Sequence, residues 1–164
     1  MKSVHHHASV VIIESEEKPE FLFSLYDNTY PKVLYRGRVN LIGGNNNIED
    51  NSPYDLLVRE LKEEFRASQE EEADDSLIEI LGKSHEKQKA KKFASQKDIS
   101  FIKEGIIRTL KPFQDFHVKI SSLEGFPSFT AIYSVFLSKL STAVFACAKE
   151  NIKKGNNITC EGNA

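Results

Sequence analysis

Residues 53–67 of this 164-residue chain carry two stripes that a helix holds on opposite sides. Each helical residue turns by about 100°. Tyr54, Val58, Leu61 and Phe65 then fall within a band roughly 60° wide, and Glu60, Glu63 and Glu64 gather opposite them. One face is expected to pack on a core and the other to carry a charge cluster. Ser52 followed by Pro53 marks the start, with the hydroxyl as N-cap and the proline at the first helical position. The helix is predicted to run from Pro53 to about Ala67.

Three glutamates at spacings of three and four repel one another, by about 0.2–0.5 kcal/mol per pair on an exposed helix. Arg59, four residues before Glu63, relieves part of that. A hard divalent cation would relieve the rest, because Mg²⁺ favours carboxylate oxygens together with water and substrate phosphate. Upstream, Val39 to Ile42 reads as a strand that runs into Gly43-Gly44, where a sharp turn and a close backbone approach to the metal or a phosphate are expected. A polar, Asn-rich loop, Asn45 to Asn51, then leads to the helix. Cation and carboxylates together supply charge neutralisation and an activated water, the requirements of phosphoanhydride hydrolysis. A solvated acidic helix face is the plain alternative. What weighs against it is the ordered set of strand, glycine pair, polar loop, capped helix and Arg-Glu-Leu-x-Glu-Glu.

This order resembles the signature box of the Nudix hydrolase family. That box runs Gly, five residues, Glu, seven residues, Arg-Glu, an apolar residue, any residue, Glu-Glu, any residue, Gly. Gly44 matches the opening glycine, and Arg59-Glu60-Leu61-Lys62-Glu63-Glu64 matches the core. Ile42 stands where the family usually has a proline before its two glycines. Asp50 follows five residues after Gly44 in place of glutamate, and eight residues separate it from Arg59. Glu49 fits the spacing only when counted from Gly43. Arg66 replaces the closing glycine, so the helix is expected to continue toward Ala67.

The resemblance implies an α/β (α+β) fold, an α/β/α sandwich on a mixed sheet. It implies Mg²⁺ or Mn²⁺ as cofactor, with Glu60, Glu63, Glu64 and a Gly43 or Gly44 carbonyl as ligands. Glu63 or Glu60 would serve catalysis and Arg59 would orient a carboxylate. Asp50, Glu49 or Glu161 would supply a further acid. The implied substrate is a nucleoside diphosphate linked to another group, a small molecule rather than a nucleic acid. A ligand-sensing or protein-interaction module with weak or no turnover is the second reading, and an unrelated α+β regulatory domain the third.

The remaining chain reads as strands and helices of one domain spanning residues 1–164. Ala8–Ile13 and Phe21–Tyr26 form a candidate hairpin, and Val33–Tyr35 a short extended piece. His5, His6 and His7 read as a flexible lead. Glu70–Asp75 is an acidic connector inside a charged, helical insertion around 68–98. Ile102, Ile106 and Leu110 recur at steps of four, predicting a helix over Ile99–Leu110 that Pro112 ends. Phe116–Ile120 and Ala131–Leu137 read as strands, and Ser141–Ile152 as a helix closed by Gly155. A short strand is placed at Asn157–Cys160. The abrupt end after it raises the expectation that a final helix is missing.

Arg36 and Arg38 are candidates for holding substrate phosphates, for which guanidinium geometry is suited; solvent-facing residues of a strand end are the equal alternative. His117 as a base, and Tyr26, Tyr30 or Tyr35 stacking a nucleobase, rank below structural roles. A net charge of −2 gives no general attraction to nucleic acid or acidic membrane. Cys147 and Cys160 are too few for a disulfide framework or a zinc site, so a reducing, cytoplasmic setting is expected. No run approaches the roughly 20 apolar residues of a membrane span. A homodimer stays open.

Overall fold

A computed structural model describes residues 5–26, 33–67, 92–120 and 129–160. Their order is β1 (His5–Ser15), β2 (Phe21–Leu22), β3 (Ser24–Leu25), a 3₁₀ turn (Val33–Tyr35), β4 (Val39–Asn40), β5 (Ile42–Asn45), α1 (Pro53–Glu64), α2 (Gln96–Arg108), β6 (Leu110–Ile120), β7 (Phe129–Leu140) and α3 (Thr142–Lys153). This is a mixed α/β fold with three helices among the described residues. The main sheet runs β2-β1-β7-β6, with β5 also paired to β1. β1 is parallel to β7 over its whole length and antiparallel to β2 and β5, so the sheet is mixed.

Side-chain alternation and this parallel register put Val11, Ile13, Phe136 and Leu140 on one face. All three helices contribute to the core that covers it: Leu57, Leu61 and Phe65 beside α1, Ile99, Ile102 and Ile106 from α2, and Val144, Phe145 and Ala148 from α3. Each helix begins on a serine whose hydroxyl accepts a backbone N–H three residues on: Ser52 from Asp55, Ser95 from Asp98, Ser141 from Val144.

Several elements differ from their expected form. The histidine lead is strand, because β1 starts at His5, opposite Thr130 of β7. Val33–Tyr35 is a 3₁₀ turn rather than extended. The Val39–Ile42 strand is interrupted at Leu41; β4 pairs with β3 and β5 with β1, so the chain changes sheets there. α2 starts three residues early and stops at Arg108, leaving Leu110 to open β6. Pro112 lies inside β6, beside the register shift between Pro112 and Gln114 on the strand that ends the described sheet, places where proline is tolerated. The stripe of α1 also shifts. Leu56, Leu57 and Leu61 are buried while Tyr54 remains 44% exposed, because one side of its ring packs on Phe136 and it also borders a cavity. Asn157–Cys160 is no strand, but Asn157 forms a parallel bridge to Phe93 and Ile158 is fully buried. The acidic connector, most of the 68–98 segment, Tyr30 and Glu161 lie outside the described residues.

Candidate functional site

Gly43 and Gly44 stand within β5, opposite Val10 and Ser9 of β1. They allow close approach, here of β1 and of Glu60, and they lie in strand rather than in the sharp turn expected of them. A Cβ on Gly43 would run into the Ser9 carbonyl and come within 2.7 Å of Val10 Cα. On Gly44 a Cβ would collide with the Glu60 carboxyl carbon and lie 2.5 and 2.6 Å from its oxygens. Glu60 therefore rests its carboxylate on the bare backbone of Gly44, and only 17% of its side chain is exposed. The helix is fastened over this strand pair by Ser9, whose buried hydroxyl donates to the Pro53 carbonyl at 2.9 Å.

The loop between strand and helix is organised by Asp50. Its Oδ2 accepts the Asn47 N–H at 2.7 Å, and its own N–H donates to the Asn47 carbonyl at 3.0 Å. This closes a tight turn that throws Ile48 fully into solvent, with 98% exposure. Asp50 also receives Arg59 in a two-pronged pair, Nε to Oδ1 and Nη2 to Oδ2, both at 2.9 Å. Glu49 is exposed. Asp50 is the acid that meets Arg59; its side chain is shorter than glutamate's.

Arg59 collects the cluster. Its Nη1 donates to Glu60 Oε1 at 3.1 Å and to Glu63 Oε1 at 3.3 Å, and its Nη2 to the Asn45 carbonyl at 3.1 Å. The guanidinium beside Asp50, reinforced by Glu63 and Glu60, is held still more firmly protonated than usual. In return its hydrogen bonds, with the Asn47 N–H, hold the Asp50 carboxyl below the ordinary range. One cation is thus shared by three carboxylates, more neutralisation than the i,i+4 pair alone provides. Among the described residues, no group of three or more His, Cys, Asp or Glu side chains is assembled for metal coordination.

The helix ends at Glu64 although the family's glycine is absent. Its last carbonyls are capped otherwise. Arg66 Nε donates to the Glu63 carbonyl at 2.8 Å, and the Arg66 and Cys160 N–H groups to that of Glu64 at 3.0 and 2.8 Å. These bonds satisfy groups that would prolong the helix. Cys160 Sγ adds a 3.2 Å contact to the Glu63 carbonyl. No sequence signal pointed to Cys160, because its partner is 97 residues away.

No family model matches this chain, and no curated protein matches it either. Arg36 and Arg38 lie in the exposed turn between β3 and β4, with their N–H groups on the Val33 and Tyr35 carbonyls. That ribbon is separate from the main sheet. His117 is exposed on β6, and Tyr26 and Tyr35 pack on each other, ring centres 5.8 Å apart. No helix among the described residues is long and apolar enough to cross a membrane.

Proposed function

We propose that this chain is a divalent-cation-dependent hydrolase of Nudix type, cleaving the phosphoanhydride of a nucleoside diphosphate linked to another group. The observation that carries the reading is the seat of Glu60 on Gly44, a contact that any side chain at position 44 would destroy. An ordinary solvated acidic face has no use for a glycine at that point. The residues present suit Mg²⁺ or Mn²⁺ chemically, as a set of hard carboxylate oxygens with one arginine to limit their repulsion. Glu60, Glu63 and Glu64 would hold the cation, which supplies a stabilised leaving oxygen and an activated water. Arg59, braced by Asp50, keeps Glu60 and Glu63 in place. The α/β/α layering belongs to this proposal as well; the mixed sheet agrees with it, while the three described helices share the core on one face of that sheet.

A sensing or interaction module is the alternative. One observation favours it: Arg59 already engages Asp50, Glu60 and Glu63, and among the described residues the acids do not stand around a common point. Calorimetric titration with Mg²⁺ and Mn²⁺ tests the metal half of the proposal. The wild type should bind at millimolar concentration or tighter, and Glu64→Gln should lose most of that binding. Glu150→Gln, exposed on α3, should retain it. Equal binding by Glu64→Gln and wild type removes the box carboxylates from the site.

A further inference from the structure

Beside the start of α1 lies a cavity of about 630 Å³ that neither Gly44, Asp50, Arg59 nor the three box glutamates line. This is within the size range of small-molecule sites, roughly 300–1,000 Å³. Its walls include Tyr54, Phe113 and Phe136. The Tyr54 and Phe136 rings meet at 6.3 Å between centres, yet Tyr54 stays 44% and Phe113 55% exposed. Phe113 owes its place to a bulge: the β6–β7 register jumps from Pro112–Phe136 to Gln114–Val135, leaving Phe113 outside the ladder. Bulges of this kind re-aim a side chain. Two half-exposed aromatic rings are an apolar cost without a core to justify it. Gln114, Asp115 and Ser134 also line the cavity, Asp115 and Ser134 as cross-strand partners.

The cavity adjoins a hollow that leads toward the charge cluster. A second hollow of about 240 Å³ shares Ser52 and Pro53 with it and reaches Asp50, the partner of Arg59. The hydrogen bond between His7 Nε2 and Ser134 Oγ, 3.1 Å, joins one lining to the other. Tyr54 and Glu60 are six residues apart, about 9 Å along the helix axis and about 120° around it, so a ligand joining them wraps the helix start.

We propose that this aromatic cavity receives the nucleobase of the substrate, stacked against Tyr54 and Phe113, while its phosphates reach past Asp50 to the Glu60 end of α1. The assignment rests on the hydrolase reading for the phosphate end and on the cavity alone for the base. Polar groups beside an aromatic slot suit a heterocycle that stacks by its face and hydrogen-bonds by its edge, and they argue against an aliphatic chain.

Calorimetry with three probes tests it: ADP with Mg²⁺, pyrophosphate with Mg²⁺, and adenosine alone. Tyr54→Ala and Phe113→Ala should each weaken ADP roughly five- to a hundred-fold, the effect of losing one stacked ring. Pyrophosphate should bind both variants as it binds the wild type, and Phe113→Trp should restore ADP. Both rings are half-exposed, so folding is retained, and melting curves check that. ADP binding that ignores both rings, or is no tighter than pyrophosphate, overturns the assignment. If adenosine weakens in Phe113→Ala while Mg²⁺ and pyrophosphate bind nowhere, the slot stands and the hydrolase reading falls. Normal Mg²⁺ and pyrophosphate binding with ADP indifferent to both rings removes the slot and leaves the hydrolase reading in place.

Discussion

The two glycines of β5 differ in what they protect, and substitution separates them. Gly43→Ala presses a methyl into the backbone of Ser9 and Val10, which cannot yield without parting β5 from β1. Overpacking of this kind costs about 1–3 kcal/mol and sometimes more, so its melting temperature should fall clearly. Gly44→Ala meets only the far end of Glu60, which can swing away. It should melt close to wild type but bind Mg²⁺ at least ten-fold more weakly, as read by calorimetry. Asp50 makes a prediction in acid. Its folded carboxyl is held below the ordinary value, first by Arg59. The stabilisation is therefore complete above the unfolded Asp value of about 3.9 and is lost as pH falls through the depressed one. Thermal melts from about pH 6 down to pH 3 should show a smaller acid loss for Asp50→Asn than for wild type. At this scale the sequence was informative. Arg59, Glu60 and Gly44 were singled out by spacing, Arg59 as orienting a carboxylate and Asp50 or Glu49 among the candidate further acids. What decided for Asp50 was the Asn47 turn, which depends on backbone geometry that spacing does not carry.

At the scale of elements, α1 is the clearest case of a pattern read well and placed imperfectly. Its start and its charged face follow from Ser52-Pro53 and from the 3.6-residue period. Its buried side does not, since Tyr54, Leu57, Leu61 and Phe65 all lie within one broad face and only the packing around the helix decides which is covered. Leu61→Ala should cost about 2–5 kcal/mol in denaturant melts, as for any fully buried leucine. Tyr54→Ala should cost about 1 kcal/mol or less. Equal losses at both positions would mean that the helix sits differently on the sheet. Pro112 misled for a related reason. Proline ends a helix or a central strand, and nothing local shows that β6 ends the described sheet or shifts register beside Pro112, places where proline is tolerated.

Across the whole molecule, long-range contacts supply what local pattern lacked. The parallel pairing of β1 with β7 joins residues more than a hundred positions apart and fixes the mixed sheet. The C-terminal segment returns to cap α1 through Cys160, and buries Ile158 in the common core. Ile158→Ala should therefore cost about 2–5 kcal/mol, as no frayed tail would. The proposed hydrolysis joins these scales, since it would need a glycine-seated carboxylate, a capped helix and a sheet that holds both. Its most direct test is release of phosphate product from a panel of nucleoside diphosphate derivatives in Mg²⁺ or Mn²⁺, comparing wild type with Gly44→Ala, Glu64→Gln and Glu150→Gln. The account predicts cation-dependent release by wild type and Glu150→Gln, at least a hundred-fold slower in Glu64→Gln and at least ten-fold slower in Gly44→Ala. Release that needs no cation, or that Glu64→Gln sustains at the wild-type rate, would contradict it.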